Sequence, residues 1–208
     1  MEISMDLVKD LRQRTGAGVM DCKAALQASK GSMEEAVDYL RKKGLATAAK
    51  KAGRIATDGL VSSYIHMGGK IGVLVEVNCE TDFVAKTEDF QIFVKNIAMQ
   101  IAAANPQYLR REDISADVLE KERSIYRTQA LESKKPEKVI EKIVDGKMER
   151  FYSESCLLEQ TFIKDSDLTV KEVLDAMIAK IGENISIRRF ARFQLGEGLT
   201  PRPSTASS

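Results

Sequence analysis

A single histidine, His66, stands among 208 residues, and that scarcity closes off several kinds of chemistry. No second imidazole exists to complete a zinc site or a proton relay. Beside Gly68-Gly69, His66 reads as a solvent-facing residue at the end of a hairpin strand. Cysteine is almost as rare. Cys22, Cys79 and Cys156 stand far apart with no CxxC spacing, a pattern that suits buried free thiols in a reducing compartment. Long apolar runs are missing too: none approaches the ~20 residues that span a bilayer. The opening MEISMDLVKD lacks the charged-then-apolar run of a secretory leader. A cytoplasmic protein without a membrane partner is therefore expected.

Charge of one sign is also lacking. Lys and Arg number 32 against 31 Asp and Glu, a net charge of +1. A dedicated nucleic-acid binder needs a clustered excess of cations to displace counterions, so direct nucleic-acid binding is not expected, although a local basic patch is allowed. Catalytic signatures are absent as well. Thr15-Gly16-Ala17-Gly18 and Gly68-Gly69-Lys70 fit neither GxxxxGK[ST] nor GxGxxG, and no GxSxG or HExxH occurs. With no paired catalytic groups, the chain is not expected to be an enzyme, and neither a cofactor nor a metal is expected.

What is present is a helix-rich pattern with 43% apolar residues, enough for a packed core without metals or disulfides. Residues 4 to 43 predict three short helices. Ser4 caps the first, which carries Leu7, Val8 and Leu11 and ends at Gly16. Asp21 caps the second, with Ala25 and Leu26. Ser32 and Glu35 form a capping box for the third, with Ala36, Val37 and Leu40, closing at Gly44. Residues 45–54 read as a basic helical linker. From Gly59 the period becomes two, and Ile71, Val73, Val75 and Val77 mark a hairpin strand. Thr87 caps a helix with Phe90, Phe93, Val94, Ile97 and Ile101, ending at Asn105-Pro106.

Residues 115 to 159 are charged and helical, with one helix entered through Pro136 and another after Gly146. Thr169 starts a helix that runs to Gly182, and Ile185 to Leu195 reads as a third strand. The fold class that follows is α+β: a three-helix module plus a core with a small, about three-stranded antiparallel sheet packed with helices. The module and linker cover residues 1–54 and the core 55–198. The Pro/Ser-rich tail, residues 199–208, is expected to be disordered.

Two segments escape core periodicity. Asn78-Cys79-Glu80-Thr81-Asp82-Phe83-Val84 lies between a strand end and a helix cap, where surface residues often serve binding. From the residues alone, Phe83 and Val84 either face a partner or tuck back as a hydrophobic staple for the next helix. The second segment joins the first two helices, where Val19 and Met20 are flanked by Arg12 and Lys23. Such an apolar patch rimmed by cations suits an acidic, amphipathic partner helix, or else packs within the bundle.

The runs LVKDLRQRTGAGVMDCKAAL, VEVNCETDFVAK, LLEQTFIKDSDLTV and RRFARFQLGEG together resemble the elongation factor Ts family of bacteria and organelles, in order from about Leu7 to Gly198. The resemblance implies that the helical module is similar to a ubiquitin-associated domain. It also implies a guanine-nucleotide exchange factor whose partner is the GTPase domain of elongation factor Tu. By the same resemblance Thr81, Asp82, Phe83 and Val84 dislocate Mg²⁺ from the partner, while Arg12, Val19, Met20 and Lys23 dock the module onto it. Short family members pair as homodimers, so a homodimer is expected here. The alternative is an RNA-binding module of the translation apparatus, using Lys50, Lys51, Arg54, Arg188, Arg189 and Arg192.

Overall fold

Ser4 opens the first helix by accepting the Leu7 amide, and Gly16 ends it. The computed structural model describes residues 3–199; the remainder of the expected tail, from residue 200, lies outside the described residues. Helix α1 spans Met5–Thr15, α2 Val19–Ala28 and α3 Met33–Lys51. Val8, Leu11, Cys22, Ala25, Leu26 and Ala36 form the centre of this bundle.

Strands β1 (Asp58–Ile65) and β2 (Ile71–Cys79) form the hairpin, followed by the four-residue helix α4 (Asp82–Ala85) and α5 (Glu88–Ala104). Thr87 caps α5 and Asn105 ends it in the left-handed region, as its sequence requires. Helices α6 (Ala116–Leu131) and α7 (Glu137–Ser155) make an antiparallel hairpin around Ala130, Ile140, Val144 and Met148. A small strand pair, β3 (Thr161–Phe162) and β4 (Asp165–Thr169), leads into α8 (Val170–Ile181) and β5 (Ile185–Gln194).

The main sheet is antiparallel in the order β1-β2-β5. Its inner face carries Val73, Val75, Val77 and Ile187 against Phe90, Phe93, Ile97 and Ile101 of α5. Burying a side chain of this kind contributes about 1.5–3 kcal/mol, so this layer dominates the core. Gly59 admits no side chain: a Cβ there would lie 2.1 Å from the Val77 carbonyl oxygen. The outer face bears Val61, Ile65, Leu74 and Phe193, all exposed.

Several boundaries differ from the sequence reading, each for a physical reason. Gly18, not Asp21, is the N-cap of α2, and Asp21 lies within the first turn, where a carboxylate still favours the helix dipole. Helix α3 does not close at Gly44 but continues to Lys51. Gly44 is buried where α3 crosses α8, and a Cβ there would stand 3.6 Å from that of Ala179. Glycine here serves helix–helix packing rather than termination. Gly146 likewise does not divide two helices, because α7 runs through it and is held on both sides of it by packing on α6. That packing outweighs the ~1 kcal/mol helix penalty of glycine. The β3–β4 pair has no counterpart in the sequence reading, since its Ile163-Lys164 turn lacks the glycine or asparagine that marks tight turns.

Candidate functional site

Where β2 ends, the chain turns into α4 and presents Phe83 to solvent with 75% of its surface exposed. The tucked-back alternative fails for Phe83 and holds for Val84, which is buried in the core, 6% exposed. The tetrapeptide is therefore not uniformly exposed. Thr81 caps α4 by accepting the Val84 amide, Val84 anchors the turn, and Asp82 and Phe83 face outward. Asp82 pairs with Lys86 at 2.6 Å on the open surface, and that hydrogen bond holds the Asp82 carboxyl below its ordinary range.

The strand end behind α4 is densely bonded. The Cys79 thiol donates to the Thr81 carbonyl at 3.1 Å. Burial raises its pKa to about 11, and the Glu183 charge adds to that. Glu183 accepts from the Glu80 and Thr81 amides, and Glu80 accepts from the Asn184 amide. The Asn184 bond, aided by the Arg54 guanidinium, lowers the Glu80 pKa. Sequence reasoning missed Glu183, Asn184 and the role of Glu80. Their partners lie about a hundred residues away in the chain, so no local pattern announces them.

The second patch is on the helical bundle. Thr15 shapes the α1–α2 connection: its hydroxyl donates to the Leu11 carbonyl at 2.7 Å and accepts the Ala17 amide at 3.3 Å. α2 then starts with Val19 and Met20 facing solvent, Met20 being 75% exposed. Lys23 follows one turn later on the same side, and Arg12 is exposed in the last turn of α1. The packing alternative for Val19 and Met20 is thus overturned as well. An exposed methionine among cations is a surface that an acidic amphipathic helix can cover.

The arginines considered for RNA contact are engaged. Arg188 and Arg189 both bond Glu76, at 2.7 and 2.6 Å, and Arg192 donates to the Ala102 carbonyl. Arg54 pairs with Glu80, and Lys51 donates to the Gly182 carbonyl. His66 is exposed beside Tyr64 at the hairpin end, and all three cysteines are buried and free. Among the described residues no helix is long and apolar enough to cross a membrane.

The family model described as elongation factor TS matches residues 4–197 of this chain. Elongation factor Ts of Desulforamulus reducens is 64% identical over 201 residues, covering 97% of this chain and 93% of that protein. Elongation factor Ts of Geobacter sulfurreducens is 62% identical over 204 residues, 98% and 94% of the two chains. That of a Thermoanaerobacter species is 63% identical over 197 residues, 95% and 97%.

Proposed function

We propose, given that this chain belongs to the elongation factor Ts family, that Asp82 and Phe83 form the wedge with which it loosens GDP from elongation factor Tu. It is a guanine-nucleotide exchange factor of translation elongation. The observation that carries the wedge is the exposed Phe83, beside the exposed Asp82, on a turn that Thr81 caps and that Val84 and Ala85 anchor in the core. A large apolar side chain held out in water on a fixed turn stands ready to enter a partner's pocket without further ordering.

The physical logic is thermodynamic coupling. A factor that binds the nucleotide-free GTPase more tightly than the GDP form weakens GDP by the same factor. Mg²⁺ bridges protein and phosphate, so dislocating it removes a large local attraction. Burial of Phe83 supplies about 1.5–3 kcal/mol, equal to roughly 10- to 150-fold. The remainder comes from Mg²⁺ dislocation and from docking. Arg12, Val19, Met20 and Lys23 supply that docking grip, and Thr81 and Val84 act by setting the turn.

A homodimer completes the reading. Val61, Ile65, Leu74 and Phe193 leave an exposed apolar patch on the outer face of the sheet, bordered by the Glu76–Arg189 ion pair and uncovered within one chain. A second copy covers that face by packing sheet against sheet, the arrangement that exposed apolar patches of this kind favour.

The test is release of labelled GDP from elongation factor Tu, with and without the protein, across Mg²⁺ concentrations. Acceleration that falls as Mg²⁺ rises supports the reading. A stimulated rate indifferent to excess Mg²⁺ removes metal dislocation from the mechanism.

A further inference from the structure

The turn after α8 grips the backbone that precedes Phe83. Gly182 ends α8 with a φ of 83°, a left-handed conformation that favours glycine. Glu183 then reaches across to the end of β2. Its Oε2 accepts from the Glu80 and Thr81 amides, each at 3.1 Å, and its Oε1 accepts from the Thr81 hydroxyl at 2.8 Å. Return bonds close the clasp. Glu80 Oε1 accepts the Asn184 amide at 2.6 Å, and Asn184 Nδ2 donates to the Arg54 carbonyl at 2.7 Å. The Arg54 guanidinium pairs with Glu80 at 3.2 Å.

This clasp stands where the β2 ladder runs out and α4 has not begun. A four-residue helix cannot stabilise itself, so its direction depends on how its ends are held. The Thr81 hydroxyl that donates to Glu183 also accepts the Val84 amide at 3.4 Å. The carboxylate therefore fixes the cap, and the cap fixes the turn that aims Phe83. Three bonds to one ionised group belong to the strong, charge-assisted class.

The same turn is tied to the helical bundle. α3 packs on α8 through Gly44 and Ala179, Arg41 pairs with Glu172, and Lys51 donates to the carbonyl of Gly182. We propose that Glu183 is a positioning residue for nucleotide exchange, transmitting the stance of the docked bundle through α3 and α8 to Phe83. The proposal rests on the reading of Phe83 as the wedge. It assigns Glu183 no contact with the partner's nucleotide.

The experiment uses the full chain and labelled GDP on elongation factor Tu, titrating Glu183→Ala, Glu183→Gln, Phe83→Ala and the Phe83→Ala/Glu183→Ala double variant. Removing a carboxylate that holds three donors is expected to lower the saturating exchange rate of Glu183→Ala about tenfold, with Glu183→Gln in between. The half-saturating concentration, which reports docking, should move less than about twofold. In the Phe83→Ala background, Glu183→Ala should add nothing, because the lever it aims is already gone. Amide hydrogen exchange should quicken at Thr81 to Val84 while α5 stays protected; Glu183→Gln carries the test if Glu183→Ala loses α5 protection. A normal saturating rate in Glu183→Ala and Glu183→Gln, with Phe83→Ala slow, overturns the positioning role. So does a multiplied loss in the double variant. A normal rate in Phe83→Ala instead overturns the wedge reading, and this proposal with it.

Discussion

Phe83 and Val84 are adjacent on one helical turn, yet Phe83 stands in water while Val84 is packed in the core beside Ala85 and Phe90. If Phe83 is the wedge proposed above, the pair separates function from stability within two residues. Phe83→Ala should slow exchange on elongation factor Tu and leave the unfolding free energy within about 0.5 kcal/mol of the parent, as for other surface substitutions. Val84→Ala should cost about 1–3 kcal/mol through lost burial and the cavity left behind. Urea denaturation of both variants, set beside their exchange rates, checks the division. Equal stability losses for the two would contradict it.

The docking face predicts the complementary kinetic signature. Met20→Ala should raise the half-saturating concentration in the exchange assay about tenfold, the range of a central apolar anchor, while the saturating rate is retained. Arg12→Ala and Lys23→Ala should weaken association more at low salt than at high salt, since exposed charges are screened. An effect confined to the saturating rate would place these residues with the wedge instead.

Much of this site was legible in the sequence because its cues are local. Thr87 and Thr169 each precede a helix and cap it, and the period-two run from Ile71 to Val77 fixes β2, whereas the four-residue α4 capped by Thr81 is too short to show a helical period. The exposure of Phe83 was not legible, because a strand-to-helix connection accommodates an aromatic on either side. The clasp was hidden for a different reason: Glu183 and Thr81 are joined only by the fold. Gly44 and Gly146 misled because a glycine in a helix can mark an end, a close crossing or neither, and tertiary packing alone decides.

Gly44 tests that last point. A Cβ there meets Ala179 at 3.6 Å, ordinary van der Waals contact, and its backbone is helical. Gly44→Ala should therefore stabilise the fold, by up to about 1 kcal/mol, because alanine favours the helix and restricts the unfolded chain. Gly44→Leu should destabilise by about 1–3 kcal/mol, since its added volume has to separate α3 from α8. Thermal unfolding that ranks alanine below the parent would show that the crossing has no room.

Thiol chemistry offers a check on the core. Burial raises Cys79 and Cys156 to about 11 and also raises Cys22. A raised pKa keeps each thiol protonated through neutral and mildly basic pH, and only the thiolate attacks. At pH 8 a disulfide reagent should modify the folded protein far more slowly than the protein in denaturant, where all three react. Rapid native labelling of Cys79 would mean that the strand end behind α4 opens readily.

The outer face of the sheet carries the prediction about assembly. Ser63, Leu74 and Ala191 lie side by side across the three strands, with Ile65, Gly72 and Phe193 forming the next row. Ile65 leans over Gly72, where a Cβ would come within 3.1 Å of its Cδ1, so one apolar end of that row covers the glycine. Phe193 remains 70% exposed, while the opposite face of the sheet is closed by α5. Substituting Phe193→Asp puts a charge on this face without touching the core, so the monomer should keep its circular dichroism. The pair of chains should dissociate, because a carboxylate buried between two sheets without a partner is strongly unfavourable. Sedimentation equilibrium should then give a monomer for Phe193→Asp and a dimer for the parent. A parent that sediments as a monomer at high concentration would refute the homodimer, and an unchanged dimer in Phe193→Asp would move its interface to another face.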